Sequence, residues 1–186
     1  MYPDKKLSRT SNKTPYENIV NVVENCHTFI KDFDKAYSLR KFKNLLICGD
    51  AGVGKTFLTN CIAKELLDKA YSVIYVTASE LFDILAKSSF EKDDYDAAEK
   101  TDFIYFCDLL IIDDLGTEMT NTFTSSQLYS CINNRMLKGL STIISINLTL
   151  DDIHTTYNER ISSRLIGEYK GIQIIGKDNR RNKHFQ

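Results

Sequence analysis

The sequence predicts an α/β protein in which a mostly parallel five-stranded sheet lies between two layers of helices. Short aliphatic or β-branched runs alternate along the chain with segments of helical periodicity, which is the pattern of strand–helix–strand units. Residues 109–112 are all aliphatic, as expected of a parallel strand that is buried on both faces. A glycine-rich segment, 49–54, separates one such strand from a helix. These observations predict one α/β domain.

The first helix is predicted to begin at Thr14 and Pro15, because a hydroxyl residue, a proline and Glu17 form a helix-start pattern there. Apolar residues at helical spacing carry this helix to about Phe33. We expect the acidic segment 91–102 to form exposed helix and loop. The remaining elements are predicted, in chain order, as a strand over 45–48, a helix over 57–69, a strand over 72–76, a helix through 81–85, a strand over 109–112, a helix over 127–137, a strand over 141–146, short helices from 150 and through 161–165, and a last strand over 172–175.

Residues 49–56 carry the pattern G-x-x-x-x-G-K-T directly after a predicted strand and directly before a helix. In this context the glycines let backbone N–H groups surround phosphate oxygens, and the helix N-terminus adds partial positive charge. We therefore predict a P-loop that binds ATP, with Lys55 on the β- and γ-phosphates and the Thr56 hydroxyl on Mg²⁺. The predicted nucleotide-binding residues are Gly49, Asp50, Ala51, Gly52, Val53, Gly54, Lys55, Thr56 and Phe57.

Two carboxylates, Asp113 and Asp114, follow the aliphatic run 109–112. A carboxylate at the end of a buried strand beside a P-loop can bind Mg²⁺ and its hydration shell, which is the role predicted for Asp113. The neighbouring Asp114 is predicted to orient and polarise the attacking water. Glu118 is the reserve candidate for that role.

Three further residues are candidates for contact with the γ-phosphate. Asn147 ends the strand that follows Asp114 in the chain, so its amide is expected beside the phosphate; the alternative is an asparagine that opens a turn. Arg160 and Arg164 lie on one face of a predicted helix, and either can supply positive charge to a neighbouring subunit's nucleotide. The alternative for both is a surface ion pair with Glu159 or Glu168.

Composition limits the other classes of function. The chain has 186 residues and a formal net charge of −1, so it lacks the overall basic charge of many nucleic-acid-binding domains. No signal peptide, membrane-spanning run or lipidation pattern is visible, which predicts a cytoplasmic protein without a membrane partner. An odd number of cysteines without C-x-x-C spacing predicts reduced, mostly buried thiols: Cys26, Cys48, Cys61, Cys107 and Cys131.

The motifs together resemble one family. The run Asp-Asp-Leu-Gly-Thr-Glu at 113–118, combined with Glu-Arg-Ile-Ser-Ser-Arg at 159–164, is more specific than the P-loop, which many ATPases share. With these motifs the chain resembles the AAA+ ATPase domain of DnaC/DnaI-type replicative helicase loaders, within the IstB-like ATP-binding superfamily. The resemblance extends from about residue 14 to 183 and is carried by the segments 49–67, 109–118, 144–148, 159–165 and 176–180.

The resemblance implies an ATPase of weak or partner-dependent activity that helps to place the replicative helicase on single-stranded DNA. It implies that Asn147 is a phosphate sensor and that Arg180 is a second sensor near the C-terminus. One of Arg160 and Arg164 would act in trans as an arginine finger, and Arg164 stands closer to the usual Ser-Arg position. An ATP-dependent homo-oligomer follows from a finger that acts in trans.

Two features depart from the family pattern. Residues 1–13 are expected to form a flexible basic segment before an AAA+ domain over 14–186. Helicase loaders usually have an N-terminal domain that binds the helicase, so the sequence is either an isolated ATPase domain or a short relative that works differently. About ten residues follow the last predicted strand, so a full helical C-terminal lid is not expected. Nucleotide would then be held more openly, and assembly would depend on neighbouring subunits or DNA.

Three other functions fit parts of the same sequence. An IstB-like helper ATPase of a transposase has the same core and acts on duplex DNA. A nucleotide-gated binding module with little hydrolysis is favoured by Asp114, where many ATPases carry glutamate. A small-molecule P-loop kinase needs a lid that carries arginine. Arg135 is the only arginine in the sequence between residues 115 and 140, so this function is disfavoured.

Overall fold

The computed structural model describes residues 14–91, 94–117, 121–176 and 178. The predicted basic segment 1–13 therefore lies outside the described residues. A short 3₁₀ turn, Tyr37–Leu39, precedes the first strand. The helices are α1 (Pro15–Asp32), α2 (Lys55–Leu67), α3 (Ala78–Phe90), α4 (Tyr95–Phe106), α5 (Thr122–Leu137), α6 (Leu150–Thr156) and α7 (Glu159–Glu168), and the strands are β1 (Leu45–Cys48), β2 (Val73–Thr77), β3 (Leu109–Leu115), β4 (Ser141–Ile146) and β5 (Lys170–Gln173).

The five strands form one sheet in the order β2-β3-β4-β1-β5, and every pairing between neighbours is parallel. The predicted α/β class with a parallel sheet is confirmed. Because all strands run in one direction, their carboxyl ends meet at one edge of the sheet. The residues that follow β1, β3 and β4 are thereby brought together.

Helices cover both faces of the sheet, and strand residues alternate between two cores. In β3, Leu109 and Ile111 pack into the core beneath α1 and α2, whereas Leu110 and Ile112 pack into the core beneath α3, α5 and α7. All four side chains are completely buried. This explains why the sequence of β3 shows no polar alternation before its carboxylates.

Local capping explains several helix starts. The Thr14 hydroxyl accepts from Glu17 N at 3.2 Å and the Glu17 carboxylate accepts from Thr14 N at 2.8 Å, which is the predicted capping box of α1. Thr77 and Glu80 repeat this exchange at the start of α3, directly after β2. Each cap satisfies N–H groups that have no partner within the helix.

Several boundaries differ from the predicted ones. Helix α5 begins at Thr122 rather than at 127, because Asn121 caps it. Strand β5 covers Lys170–Gln173 rather than 172–175, because pairing with β1 sets its start at a position where the sequence is polar. The segment at 95–106 forms one complete helix. Helix α2 ends at Leu67 rather than at 69, and Leu67 is 54% exposed.

Within the described part of the chain, no helix combines the length and apolar character that a bilayer crossing requires.

Candidate nucleotide-binding site

The loop between β1 and α2 adopts backbone conformations that require glycine. Gly52 and Gly54 have φ angles of 78° and 105°, in the left-handed region that most side chains disfavour. Gly54 is also the N-cap of α2, and no side chain caps the first turn of that helix. The N–H groups of this turn are therefore not blocked by a capping side chain, which suits the binding of an anion.

Gly49 is required for a different reason, which is close packing. A Cβ atom at this position would lie 2.8 Å from the Ile174 carbonyl oxygen and 3.0 Å from Val53 Cγ2. The start of the loop is thus held against the residue that follows β5, and Val53 is buried in the same contact. A larger residue at position 49 would displace the loop from the sheet.

Lys55 points back into the loop and is only 5% exposed. Its ammonium group donates to the carbonyl oxygens of Gly49 at 2.8 Å and Asp50 at 3.0 Å, and to Asn147 Oδ1. These three acceptors match the three N–H bonds of the ammonium. Burial lowers the pKa of Lys55, and the negative charges of Asp114, Asp113 and Asp50 oppose that shift.

Asp113 is buried and lies beside the first turn of α2. Its Oδ2 accepts from Thr56 Oγ1 at 2.9 Å and from the Tyr75 hydroxyl at 2.6 Å, and its Oδ1 accepts from Ser145 Oγ. Burial and the hydrogen bond to Asp113 raise the pKa of Tyr75 to about 12, so the phenol remains a donor at neutral pH. Thr59 Oγ1 lies 3.3 Å from the same phenol oxygen.

A β-bulge in β3 contains Asp113 and Asp114. Residues Ile112 and Leu115 of β3 pair with Ile144 and Ile146 of β4, so the two aspartates stand opposite one residue of β4. That residue is a serine: Ser145 Oγ accepts from Asp114 N at 3.0 Å and donates to Asp113.

Asp114 has a left-handed backbone with a φ angle of 55°, which is uncommon outside glycine. The Thr117 hydroxyl donates to the Asp114 carbonyl oxygen at 2.8 Å and holds the following turn. The bulge therefore leaves Asp114 half-buried next to a buried Asp113. A strand without the bulge would send consecutive side chains to opposite faces of the sheet.

Asn147 follows β4, which lies between β3 and β1 in the sheet. This order places the amide next to the loop, where it accepts from Lys55. The site thus combines an anion-binding helix end, a lysine, a carboxylate beside a hydroxyl and a neutral amide at the carboxyl edge of a parallel sheet, the usual position for ligands in such folds.

A model of the IstB-like ATP-binding proteins matches residues 25–184, which is most of the chain. The chain belongs to the IstB-like ATP-binding protein family. It is 35% identical over 135 residues to the replicative helicase loader DnaI of Bacillus subtilis, covering 70% of this chain and 42% of that protein. It is 31% identical over 145 residues to the insertion sequence ATP-binding protein y4pL of Sinorhizobium fredii, covering 75% of this chain and 58% of that protein. The chain thus spans between about two fifths and three fifths of the length of these curated relatives.

The fold of this IstB-like domain also matches solved structures. The crystal structure of the DnaC helicase loader superposes with a TM-score of 0.72 at 21% identity, covering 88% of this chain and 92% of that chain. At this identity the likeness concerns the fold alone. The predicted AAA+ type of P-loop fold is confirmed by this match.

The structure does not bring every predicted site residue of the IstB-like domain to the loop. Arg160 is exposed and Arg164 is half-buried on α7, whose apolar side packs on the opposite face of the sheet from α2. Among the described residues, no ion pair joins either arginine to Glu159 or Glu168, the alternative considered above. Phe57 lies in the first turn of α2 and is 74% exposed.

Two predicted site residues, Glu118 and Arg180, lie outside the described residues. Arg135, the one arginine within 115–140, is completely buried in the core. It therefore does not supply the lid arginine that a small-molecule kinase needs over its phosphates.

Sequence reasoning missed Tyr75 and Ser145. Both hydroxyls bind Asp113, one from the neighbouring strand on each side. A signal was present for Ser145, which stands between isoleucines in a strand that is buried throughout. A buried hydroxyl needs a hydrogen-bond partner, and the carboxylate of the adjacent strand provides it.

Proposed function

We propose that this domain binds and hydrolyses ATP with Mg²⁺ as the nucleotide-dependent switch of a replicative helicase loader. The observation that supports the proposal is the convergence of Lys55, Thr56, Asp113 and Asn147 at the end of the P-loop. When ATP binds, the Lys55 ammonium would release the carbonyl oxygens of Gly49 and Asp50 and donate to phosphate oxygens instead. The N–H groups of the first turn of α2 bind the remaining phosphate oxygens.

The donor set fits Mg²⁺. Thr56 Oγ1 and Asp113 Oδ2 lie 2.9 Å apart, and both are hard oxygen donors of the type that Mg²⁺ prefers. Bound Mg²⁺ would neutralise phosphate charge as it develops during transfer. Ser145 and Tyr75 hold the Asp113 carboxylate in place from both sides, so its orientation is set before the ion binds.

Asp114 is the group proposed to orient the attacking water. Its half-buried carboxylate contributes to the electrostatic field at Lys55, which places its charge near the loop. Asn147 is proposed to sense the γ-phosphate. The Asn147 amide oxygen accepts from Lys55, so a phosphate that draws the Lys55 ammonium away would leave this oxygen to bind a different donor. Arg164 of a neighbouring subunit is proposed to complete the site in an ATP-dependent homo-oligomer.

The helicase and single-stranded DNA are proposed as partners, supported by similarity to a replicative helicase loader over 135 residues. Any turnover is proposed to be weak without these partners. A second candidate, the ATPase helper of a transposase, is supported by similarity to an insertion sequence ATP-binding protein. Co-purification with a hexameric replicative helicase supports the first candidate, whereas filament formation that depends on duplex DNA supports the second.

The decisive experiment measures ATP turnover with and without single-stranded DNA, with the oligomeric state determined by light scattering in the same samples. We expect turnover that rises with DNA and assembly. Lys55→Ala should abolish nucleotide binding, because it removes the only side-chain cation found in the loop among the described residues. Asp114→Ala should retain binding and lose about a hundredfold or more in turnover.

One result would replace hydrolysis by a binding role. If turnover stays undetectable with DNA present, and Asp114→Ala changes no property of the protein, the domain is a nucleotide-gated binding module. Unchanged nucleotide binding in Lys55→Ala would overturn the P-loop assignment itself.

A further inference from the structure

A row of lysine and aromatic side chains lies along the amino-terminal edge of the sheet, at the opposite end of the strands from the P-loop. Lys43 precedes β1, Lys138 precedes β4 and Lys170 begins β5, so all three stand where strands start. We call this feature the lysine–aromatic row; it comprises Phe106, Lys138, Tyr37, Lys43, Phe42 and Lys170.

The row is continuous across the ends of three elements. At one end, the Lys138 ammonium lies 3.7 Å from the centroid of the Phe106 ring. The adjacent Gly139 approaches Tyr37 so closely that an added Cβ would lie 3.4 Å from Tyr37 Cβ. Gly139 has a φ angle of 70°, which turns the chain from Lys138 into β4 beside the tyrosine.

From Tyr37 the row continues towards β5. The Lys43 ammonium lies 5.2 Å from the centroid of the Tyr37 ring, and Asn44 Nδ2 donates to the Tyr37 hydroxyl at 3.2 Å. Asn44 O accepts from Lys170 N at 2.9 Å, and the Lys170 ammonium lies 5.3 Å from the Phe42 ring centroid. Each lysine of the row thus lies near an aromatic ring, and Gly139 and Asn44 connect these pairs.

The row carries positive charge that is not neutralised locally. Among the described residues, none of its three lysines forms an ion pair. The nearby Asp32 and Asp34 are paired with Lys35 and Lys69, at 2.6 Å and 3.4 Å.

Two other acids lie near the row. Asp108 accepts from the backbone N and the hydroxyl of Ser72. The negative charge of Glu168 raises the pKa of Tyr37, although burial of the phenol raises that pKa more. Arg40, whose guanidinium lies 5.7 Å from the Tyr37 ring centroid, adds a further cation. Cations thus outnumber acids along this edge.

Exposed aromatic surface is available at one end of the row. Phe106 is 61% exposed although Lys138 covers part of its ring, and the adjacent Leu137 is 78% exposed. Lysines that alternate with aromatic rings, of which Phe106 is exposed and Tyr37 and Phe42 are half-buried, match the chemistry of a single strand of nucleic acid, whose phosphates bind lysines and whose unpaired bases stack on aromatic faces. An acidic protein surface would match the lysines and leave the rings without a role.

We propose that the lysine–aromatic row binds single-stranded DNA, and this inference rests on the single-stranded DNA partner named under Proposed function. The row and the P-loop lie at opposite ends of β1, whose four residues span about 13 Å at about 3.3 Å each. DNA on this edge does not touch the nucleotide. Substitutions in the row therefore separate DNA binding from ATP binding.

The first test measures binding of fluorescein-labelled oligothymidylate by anisotropy over a range of salt concentrations. Lys138→Glu/Lys170→Glu should weaken binding about tenfold at low salt and lower the salt slope by about 1.4, as expected when two phosphate contacts to a single strand are lost. The matched control Lys64→Glu/Lys87→Glu makes the same charge change at two exposed lysines outside the row and should leave binding within about twofold.

The second test examines stacking with Phe106→Ala. This variant should bind oligothymidylate about fivefold more weakly and an abasic oligonucleotide of equal length as tightly as the unmodified protein does. Equal loss for both ligands, or equal affinity of the unmodified protein for duplex and single strand, would overturn the proposal. So would binding of an acidic peptide that competes fully with DNA.

The outcomes distinguish this proposal from the proposed function. If the unmodified protein hydrolyses ATP and binds single-stranded DNA while the row variants bind DNA as well as the control does, the row is not the DNA-binding site and the proposed function is retained. If the protein binds DNA through the row and never hydrolyses ATP, the row is the DNA-binding site and the proposed ATP-hydrolysing switch is wrong.

Discussion

The Tyr75 hydroxyl donates a 2.6 Å hydrogen bond to Asp113 Oδ2, the oxygen that also accepts from Thr56. Tyr75 belongs to β2, at the edge of the sheet beside β3. The carboxylate proposed for Mg²⁺ is therefore held by a side chain far from the P-loop in sequence. Charge-assisted hydrogen bonds of this kind are stronger than neutral ones and fix the orientation of the acceptor.

Tyr75→Phe is expected to weaken the response to Mg²⁺ without preventing nucleotide binding. The substitution keeps the ring and removes the donor, so Asp113 loses one of its three hydroxyl partners. Loss of such an outer contact typically costs about 10- to 100-fold in metal affinity. The measurement is the Mg²⁺ concentration at half-maximal ATP turnover, alongside nucleotide affinity in the presence of a chelator.

Tyr71 provides a matched control for this prediction. Its hydroxyl donates to the Asp34 carboxylate at 2.7 Å on the surface, away from the site. Tyr71→Phe should leave the Mg²⁺ response unchanged. A Mg²⁺ response in Tyr75→Phe that equals that of Tyr71→Phe would show that the phenol has no part in positioning Asp113.

Arg164→Ala is expected to spare ATP binding and to reduce turnover about a thousandfold in the assembled state, the effect typical of a lost arginine finger. Lys55→Ala protomers keep Arg164 but cannot hold ATP. Mixing the two inactive variants should therefore restore part of the turnover, because one supplies the nucleotide and the other supplies the arginine. The measurement is turnover of each variant alone and of their mixture.

Arg160→Ala is the comparison for this experiment, since Arg160 is exposed on the same helix one turn earlier. If Arg160→Ala loses turnover and regains it when mixed with Lys55→Ala, while Arg164→Ala regains none in the same mixture, the finger is Arg160. Loss of turnover by Arg164→Ala in a strictly monomeric sample would exclude action in trans.

Arg135 is completely buried, and its guanidinium connects α5 to the segments that lead into β3 and β4. It donates to the carbonyl oxygens of Ile104, Cys107 and Ser141 at 2.6, 3.0 and 2.7 Å. Arg135→Met leaves these buried acceptors without that donor, and each unsatisfied buried acceptor costs about 1–3 kcal/mol, so we expect the free energy of unfolding to fall by about 3–5 kcal/mol. Urea denaturation followed by circular dichroism measures this change.

Two variants sharpen the test of Arg135. Arg135→Lys keeps the charge but supplies fewer donors, so its loss should be smaller than that of Arg135→Met. Arg40→Met removes a half-buried guanidinium that donates to the Phe33 and Lys35 carbonyl oxygens, and it should cost about 1–2 kcal/mol. A cost for Arg135→Met no greater than that for Arg40→Met would contradict the account.

Local sequence signals predicted much of this molecule. The P-loop, the run before Asp113 and the capping pattern at Thr14 each lie within a few residues, so the physical requirement can be recognised from the sequence itself. The parallel sheet followed from the absence of polar alternation in β3. These features depend on short-range chemistry.

The remainder depended on contacts between distant segments. The order of strands places β4 between β3 and β1, and only this order brings Ser145 opposite the bulge at Asp113 and Asp114. The start of β5 was misplaced because pairing with β1 sets it, whereas its own sequence is polar there. A burial pattern within one segment contains no information about its neighbour.

Cys61 is expected to be the one thiol that reacts rapidly with a chromogenic disulfide reagent in the native protein at pH 8. It is exposed, whereas burial raises the pKa of Cys26 and Cys131 to about 12 and that of Cys48 to about 11. Burial also raises the pKa of Cys107. Because the thiolate is the reactive form, these four thiols remain largely unreactive until the chain unfolds.

The measurement counts thiols in the fast phase, and five should react once denaturant is added. Cys61→Ser should remove the fast phase and leave four thiols that react only in denaturant. A second fast thiol in the native protein would contradict the protection expected of the other four cysteines, of which Cys26, Cys107 and Cys131 are buried and Cys48 is half-buried. If that thiol is Cys48, which directly precedes the P-loop, its protection by ATP would show that the strand end opens when the loop is free of nucleotide.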